Sequence, residues 1–142
     1  MCNGLAFEIN FRYRQVMHGK KPKILWLDCI GGLVVGTVVL ILAGPLSDWE
    51  GLPKTTVQFM AIANLAYGSY SFYVTTRRQR PLSLVTILSV ANIVWLPVCI
   101  VIVALFANQI TGLGMLHLLG EGLYVAGLGV VEWRMLETLA TT

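Results

Sequence analysis

Charge is scarce in this chain. Of its 142 residues only 12% are Asp, Glu, Lys or Arg, whereas 56% are hydrophobic, and the mean hydropathy is +0.74. So few polar side chains cannot cover a globule, which excludes a water-soluble fold and leaves lipid as the solvent. Cysteine is scarce too. Cys2, Cys29 and Cys99 are scattered without metal-ligand spacing, so neither a disulfide framework nor a zinc site is expected. Copper would find only Met115 and His117, which are too few ligands. No Gly-Lys-Ser/Thr phosphate loop, strand-elbow serine or paired-cysteine motif occurs, and the glycines near the C-terminus lack the strand and spacing of a dinucleotide site. No metal and no cofactor is expected. The net charge of +3 does not point to nucleic acid, because the basic residues sit in short clusters beside apolar runs rather than along one helix face.

What the sequence does contain is long apolar runs. A bilayer core of about 30 Å takes roughly 20 residues of helix, and four runs reach that length: Ile24 to Ala43, about Val57 to Thr76, Leu82 to Phe106, and about Leu113 to Trp133. A Gly-Pro-rich turn from Gly44 to Thr56, the basic turn Arg77-Arg78-Gln79-Arg80-Pro81 and a polar turn from Ala107 to Gly112 join them. Connections this short force antiparallel neighbours. The expected fold is an all-α integral membrane protein, an antiparallel four-helix transmembrane bundle over residues 24–134. It is flanked by an N-terminal arm over 1–23 and a cytoplasmic tail over 135–142.

Loops rich in Lys and Arg stay cytoplasmic. Arg12, Arg14, Lys20, Lys21 and Lys23 precede the first run, Arg77, Arg78 and Arg80 join the second and third, and Arg134 follows the fourth; only Lys54 falls on the opposite side. Both termini are therefore expected inside. Short loops and the lack of a targeting segment point to a bacterial inner membrane. Trp26 and Trp133 fit an inner aromatic belt and Trp49 an outer one, although each also suits packing. In the arm, Leu5, Phe7, Ile9, Phe11 and Tyr13 alternate with polar residues, which suits a segment lying at the headgroups. Met17, just before the basic cluster, is a candidate alternative start. Cys2 lacks the upstream apolar segment of a lipoprotein signal.

Helices in lipid associate through close contacts between small residues and through polar bonds. Gly32 and Gly36 in the first run, and Gly120, Gly122, Ala126, Gly127 and Gly129 in the fourth, suggest that these two helices pack together. Pro97 removes a backbone donor from the third and is expected to kink it. Ala63-Asn64-Leu65-Ala66-Tyr67 and Ala91-Asn92-Ile93-Val94-Trp95 form a weak internal echo, which chance convergence also explains.

Ionisable groups inside a bilayer cost at least about 2.5–3.5 kcal/mol at its centre, so each is a functional candidate. Counting from Leu113 at 1.5 Å per residue, Glu121 lies roughly 12 Å deep. His117 and Tyr124 share its helix face. Asn64, Tyr67 and Asn92 are placed to join them around one site that binds a ligand or a proton. The alternative is a hydrogen-bonded network that serves packing alone. Asp28, Glu132 and Arg134 are expected as boundary residues, with Asp28 reaching interfacial cations. His18 and His117 fall on opposite sides of the membrane, which excludes bis-histidine haem within one subunit.

In size and span number the chain resembles the small multidrug-resistance transporters, which share a four-helix plan and an essential membrane glutamate. It departs from them because their glutamate is in the first helix, where this sequence has Asp28, and its own candidate carboxylate is in the fourth. The His117-x-x-x-Glu121 spacing also resembles the paired histidine and glutamate of membrane sterol isomerases. The leading expectation is a binding or transport module for a small apolar or amphipathic molecule, a lipid headgroup or a proton, with a homodimer as one candidate assembly. An accessory subunit or assembly factor of a larger membrane complex is the second. An enzyme on a lipid-soluble substrate, with Glu121 as acid and His117 as base, is the third.

Overall fold

The computed structural model describes residues 23–140, so nearly all of the arm expected over 1–23 lies outside the described residues. The elements are all α-helices: α1 Lys23–Ile41, α2 Ala43–Glu50, α3 Lys54–Thr76, α4 Leu82–Leu105, α5 Gly112–Arg134 and α6 Leu136–Leu139. Three of them, α1, α4 and α5, are long and apolar enough to cross a membrane. The 23-residue α3 matches them in length but carries Thr55, Thr56, Gln58, Asn64, Ser69 and Ser71, which dilute its apolar character. Large apolar side chains stand exposed on every long helix, Ile41 at 74% and Leu116 at 75% among them, while Asp28, Ser71, Ser89, Asn92 and Glu132 are buried. Apolar outside and polar inside is the distribution that lipid surroundings favour, and it is compatible with a membrane protein.

Two stretches are more ordered than the sequence suggests. The turn expected from Gly44 to Thr56 is largely the helix α2. Pro45 lies in its first turn, where no N–H is needed. Gly51 ends it at a left-handed φ of 69°, its N–H donating to the Ser47 carbonyl at 3.0 Å. The expected tail contains α6, whose Leu139 packs with Leu25, Val74, Val85 and Leu88 into an apolar cluster at the end of the bundle bearing the Arg77–Arg80 turn. A second cluster, including Val39, Leu52, Met60, Cys99 and Leu118, fills the opposite end. Between the two lies a polar layer.

The helices pair as sequential hairpins, α1 with α3 and α4 with α5. This differs from the expected α1–α5 seam. Gly32 and Gly36 abut α3: a Cβ on Gly32 would lie 3.1 Å from the Gly68 Cα, and one on Gly36 would lie 2.9 Å from the Ala61 carbonyl oxygen. Gly122 abuts Leu96 and Cys99, and Gly129 abuts Ser89 and Asn92, all on α4. Ala126, one turn from Gly122, is half-buried, whereas Gly120 and Gly127 meet open space. The physical reason is fit: Gly68 on α3 offers Gly32 a backbone as bare as its own, so α1 and α3 can approach closely. Pro97 lies inside α4, which continues through it.

The seam makes an expected outcome concrete. Gly36→Val should destabilise the purified protein by about 1–3 kcal/mol, because backbone must move to admit the side chain, whereas Gly120→Ala should leave the unfolding midpoint unchanged. Denaturation in detergent micelles reads both, and an unaltered midpoint for Gly36→Val would contradict the close α1–α3 approach.

Candidate functional site

The polar layer surrounds a cavity of about 210 Å³ that all four long helices border. Helical spacing brings its polar side chains to the wall. On α3, Asn64 and Tyr67 are three apart, as are Asn92 and Trp95 on α4, so each pair shares one face. Leu27, Gly31, Val35, Val125 and Leu128 supply apolar wall. Leu27 and Tyr124 both border the cavity and both are exposed, which sets its mouth between α1 and α5.

Two carboxylates face this space. On Glu121, Oε1 accepts hydrogen bonds from Asn64 Nδ2 at 2.9 Å and from Trp95 Nε1 at 3.1 Å. On Asp28, Oδ2 accepts from the Tyr67 hydroxyl and from Ser71 Oγ, the latter at 2.9 Å, and Oδ1 accepts from Asn92 Nδ2 at 3.2 Å. The pattern is reciprocal. Each hairpin carries one acid and the aromatic donor that serves it, and each lends its asparagine to the acid of the other hairpin. Bonds to charged or polar groups of this kind stabilise most where water is excluded.

Asn64, Tyr67, Asn92 and Glu121 are thus brought together around the cavity. Tyr124 borders it but finds no hydrogen-bond partner among the described residues. His117 stands apart. Its Nδ1 lies 2.6 Å from Glu50 Oε1, while its Nε2 is 3.9 Å from Glu121 Oε2, so the nearer carboxylate belongs to α2 and not to the same helix face. Glu50 is buried, and that end is clasped further by Thr111, whose N–H donates to the Glu50 carbonyl at 2.8 Å and whose hydroxyl donates to the Trp49 carbonyl at 2.7 Å.

Asp28 and Glu132 depart from the boundary role expected of them. Asp28 is 4% exposed and Glu132 fully buried; Glu132 Oε2 accepts from Asn92 Nδ2 at 3.1 Å. The reason is that a carboxylate in an apolar bundle gains more from neutral donors within reach than from cations at the surface. Four residues of the site were missed by sequence reasoning: Asp28 and Glu132 were placed at the boundary, Glu50 in a turn, and Trp95 was noticed only as the last residue of an echo. A usable signal existed, since Tyr67 and Trp95 both follow an asparagine by three residues. Among the described residues no cluster of histidine, cysteine and acidic side chains could hold a metal ion.

No family model, no curated protein and no solved structure matches the chain.

Proposed function

We propose that this is a four-span membrane protein, both termini cytoplasmic, which binds a small amphipathic ligand in its central cavity and lets it pass. The carrying observation is the cavity itself, an apolar-walled space between two hairpins with a carboxylate from each facing into it. Ligand sites are commonly of this kind, largely apolar with a few convergent polar groups. The mouth between α1 and α5 opens on the apolar flank of the bundle, which suits entry from lipid. Two acids with few cationic neighbours favour a ligand whose head carries a positive charge or N–H donors.

Support for α3 as the fourth span comes from its length, about 34 Å at 1.5 Å per residue, and from its packing along α1. Support for the orientation comes from the sequence, in which nine of the ten basic residues fall in segments that this threading keeps on one side. A bacterial inner membrane suits the short connections. The His117 pair with Glu50 clasps the extracytoplasmic end in this reading and does not contact the ligand.

Titration of vesicle-reconstituted protein with octylamine should show saturable binding. Asp28→Asn and Glu121→Gln should each weaken it about tenfold, equivalent to about 1.4 kcal/mol, and octanoate should not compete. Equal octylamine affinity in wild type and in the double variant would remove the basis of the reading. For the orientation, a cysteine placed at Gln79 in a background without native cysteines should resist an impermeant maleimide added to intact cells; labelling there would invert the threading.

A further inference from the structure

Glu132 differs from the other carboxylates of the polar layer in how it is satisfied. Its Oε2 receives one bond, from Asn92, and its Oε1 is buried without a partner; Asn92 Oδ1 is likewise buried without a partner. Both residues are at most 1% exposed. The orientation of the Asn92 amide is fixed by its neighbours. Its nitrogen has two N–H groups and two carboxylates to serve, Asp28 at 3.2 Å and Glu132 at 3.1 Å, and a flipped amide would set its oxygen against both. Two unpaired acceptor oxygens therefore remain on one bonded pair of side chains. A buried acceptor without a donor is destabilising, and a single hydrogen would satisfy both.

Charge leads to the same place. Asp28 and Glu132 are both buried and share one amide, and two adjacent negative charges in such surroundings are strongly disfavoured. The groups facing them, among the described residues, come from α1, α3, α4 and α6. From α1 come Asp28 and Cys29, from α3 Tyr67 and Ser71, from α4 Ser89 and Asn92, and Glu137 of α6 points outward. None of these is a cation. Asp28 already accepts three hydrogen bonds, which suits the anion, whereas Glu132 accepts one, which suits the neutral acid.

We propose that Glu132 is a proton-binding site, carrying its proton on Oε1 and donating it to Asn92 Oδ1, so that acid and amide are joined by two antiparallel hydrogen bonds. Asp28 is then the charged member, on the cavity wall. Release of the Glu132 proton would place a second charge on Asn92, and a cation beside Asp28 in the cavity would offset it. That consequence rests on the cavity reading above; the protonation of Glu132 does not.

Infrared spectroscopy of the protein in lipid vesicles at neutral pH, without added amine, tests the assignment. The difference between wild type and Glu132→Gln should contain the carbonyl stretch of a protonated carboxylic acid, shifted down in D2O and unaffected when sodium is replaced by N-methylglucamine. Glutamine can form the same pair of bonds with Asn92, so the variant keeps the packing. As a check independent of that variant, glutamate labelled with ¹³C at its carboxyl should move the band in Glu121→Gln protein, and labelled aspartate should not. A wild-type spectrum without an acid carbonyl, a band indifferent to labelled glutamate, or one that appears only after sodium removal would overturn the proposal. Because no ligand is present, failure here would leave the octylamine result untouched.

Discussion

A carboxylate placed among apolar helices must find hydrogen-bond donors, and in this chain that requirement joins the two halves of the bundle. Close contact at glycines builds each hairpin, Gly32 against Gly68 between α1 and α3 and Gly122 and Gly129 of α5 against side chains of α4, and the hairpins meet each other less closely. The asparagines cross the gap. Asn64 of the first hairpin reaches Glu121 of the second, and Asn92 of the second reaches Asp28 of the first. Without these bonds each acid would retain only donors from its own hairpin, and nothing polar in the middle layer would register one hairpin against the other. Apolar clusters lie above and below this layer, and polar bonds are stronger in apolar surroundings.

The same arrangement sets what the middle of the bundle can do. Because the polar bonds lie at the walls, the hairpins do not close fully and a cavity persists between them. Its wall is mostly apolar and carries two carboxylates, Asp28 and Glu121. Three acids lie within this layer in different states of satisfaction: Glu121 with two donors, Asp28 with three, and Glu132 with one. Among neighbouring acids, the one with the fewest donors is the one that gains most from a proton.

Much of the architecture was legible in the sequence because lipid imposes simple rules. Run length and composition located α1, α4 and α5, and helical spacing grouped Asn64 with Tyr67 and Glu121 with its helix face. Partner choice was not legible. Glycines at Gly32 and Gly122 announce close packing but do not name the helix they meet; for Gly32 it is the bare Gly68 backbone of α3. His117 and Glu121 were joined by adjacency along one helix, yet the helix α2, hidden in a stretch read as a turn, delivered Glu50 to a shorter distance. Asp28 was assigned to the boundary by its position in the first run. Its three donors come from α3 and α4, and tertiary contacts of that kind have no local trace.

The account depends on the crossed asparagine bonds, and a double-mutant cycle between Asn64 and Glu121, read by unfolding in lipid or detergent, measures one of them directly. Replacing each by leucine, alone and together, should reveal a coupling of about 1–2 kcal/mol, as polar bonds between membrane helices give. Effects that add to within about 0.3 kcal/mol would mean that the two hairpins are held by other forces.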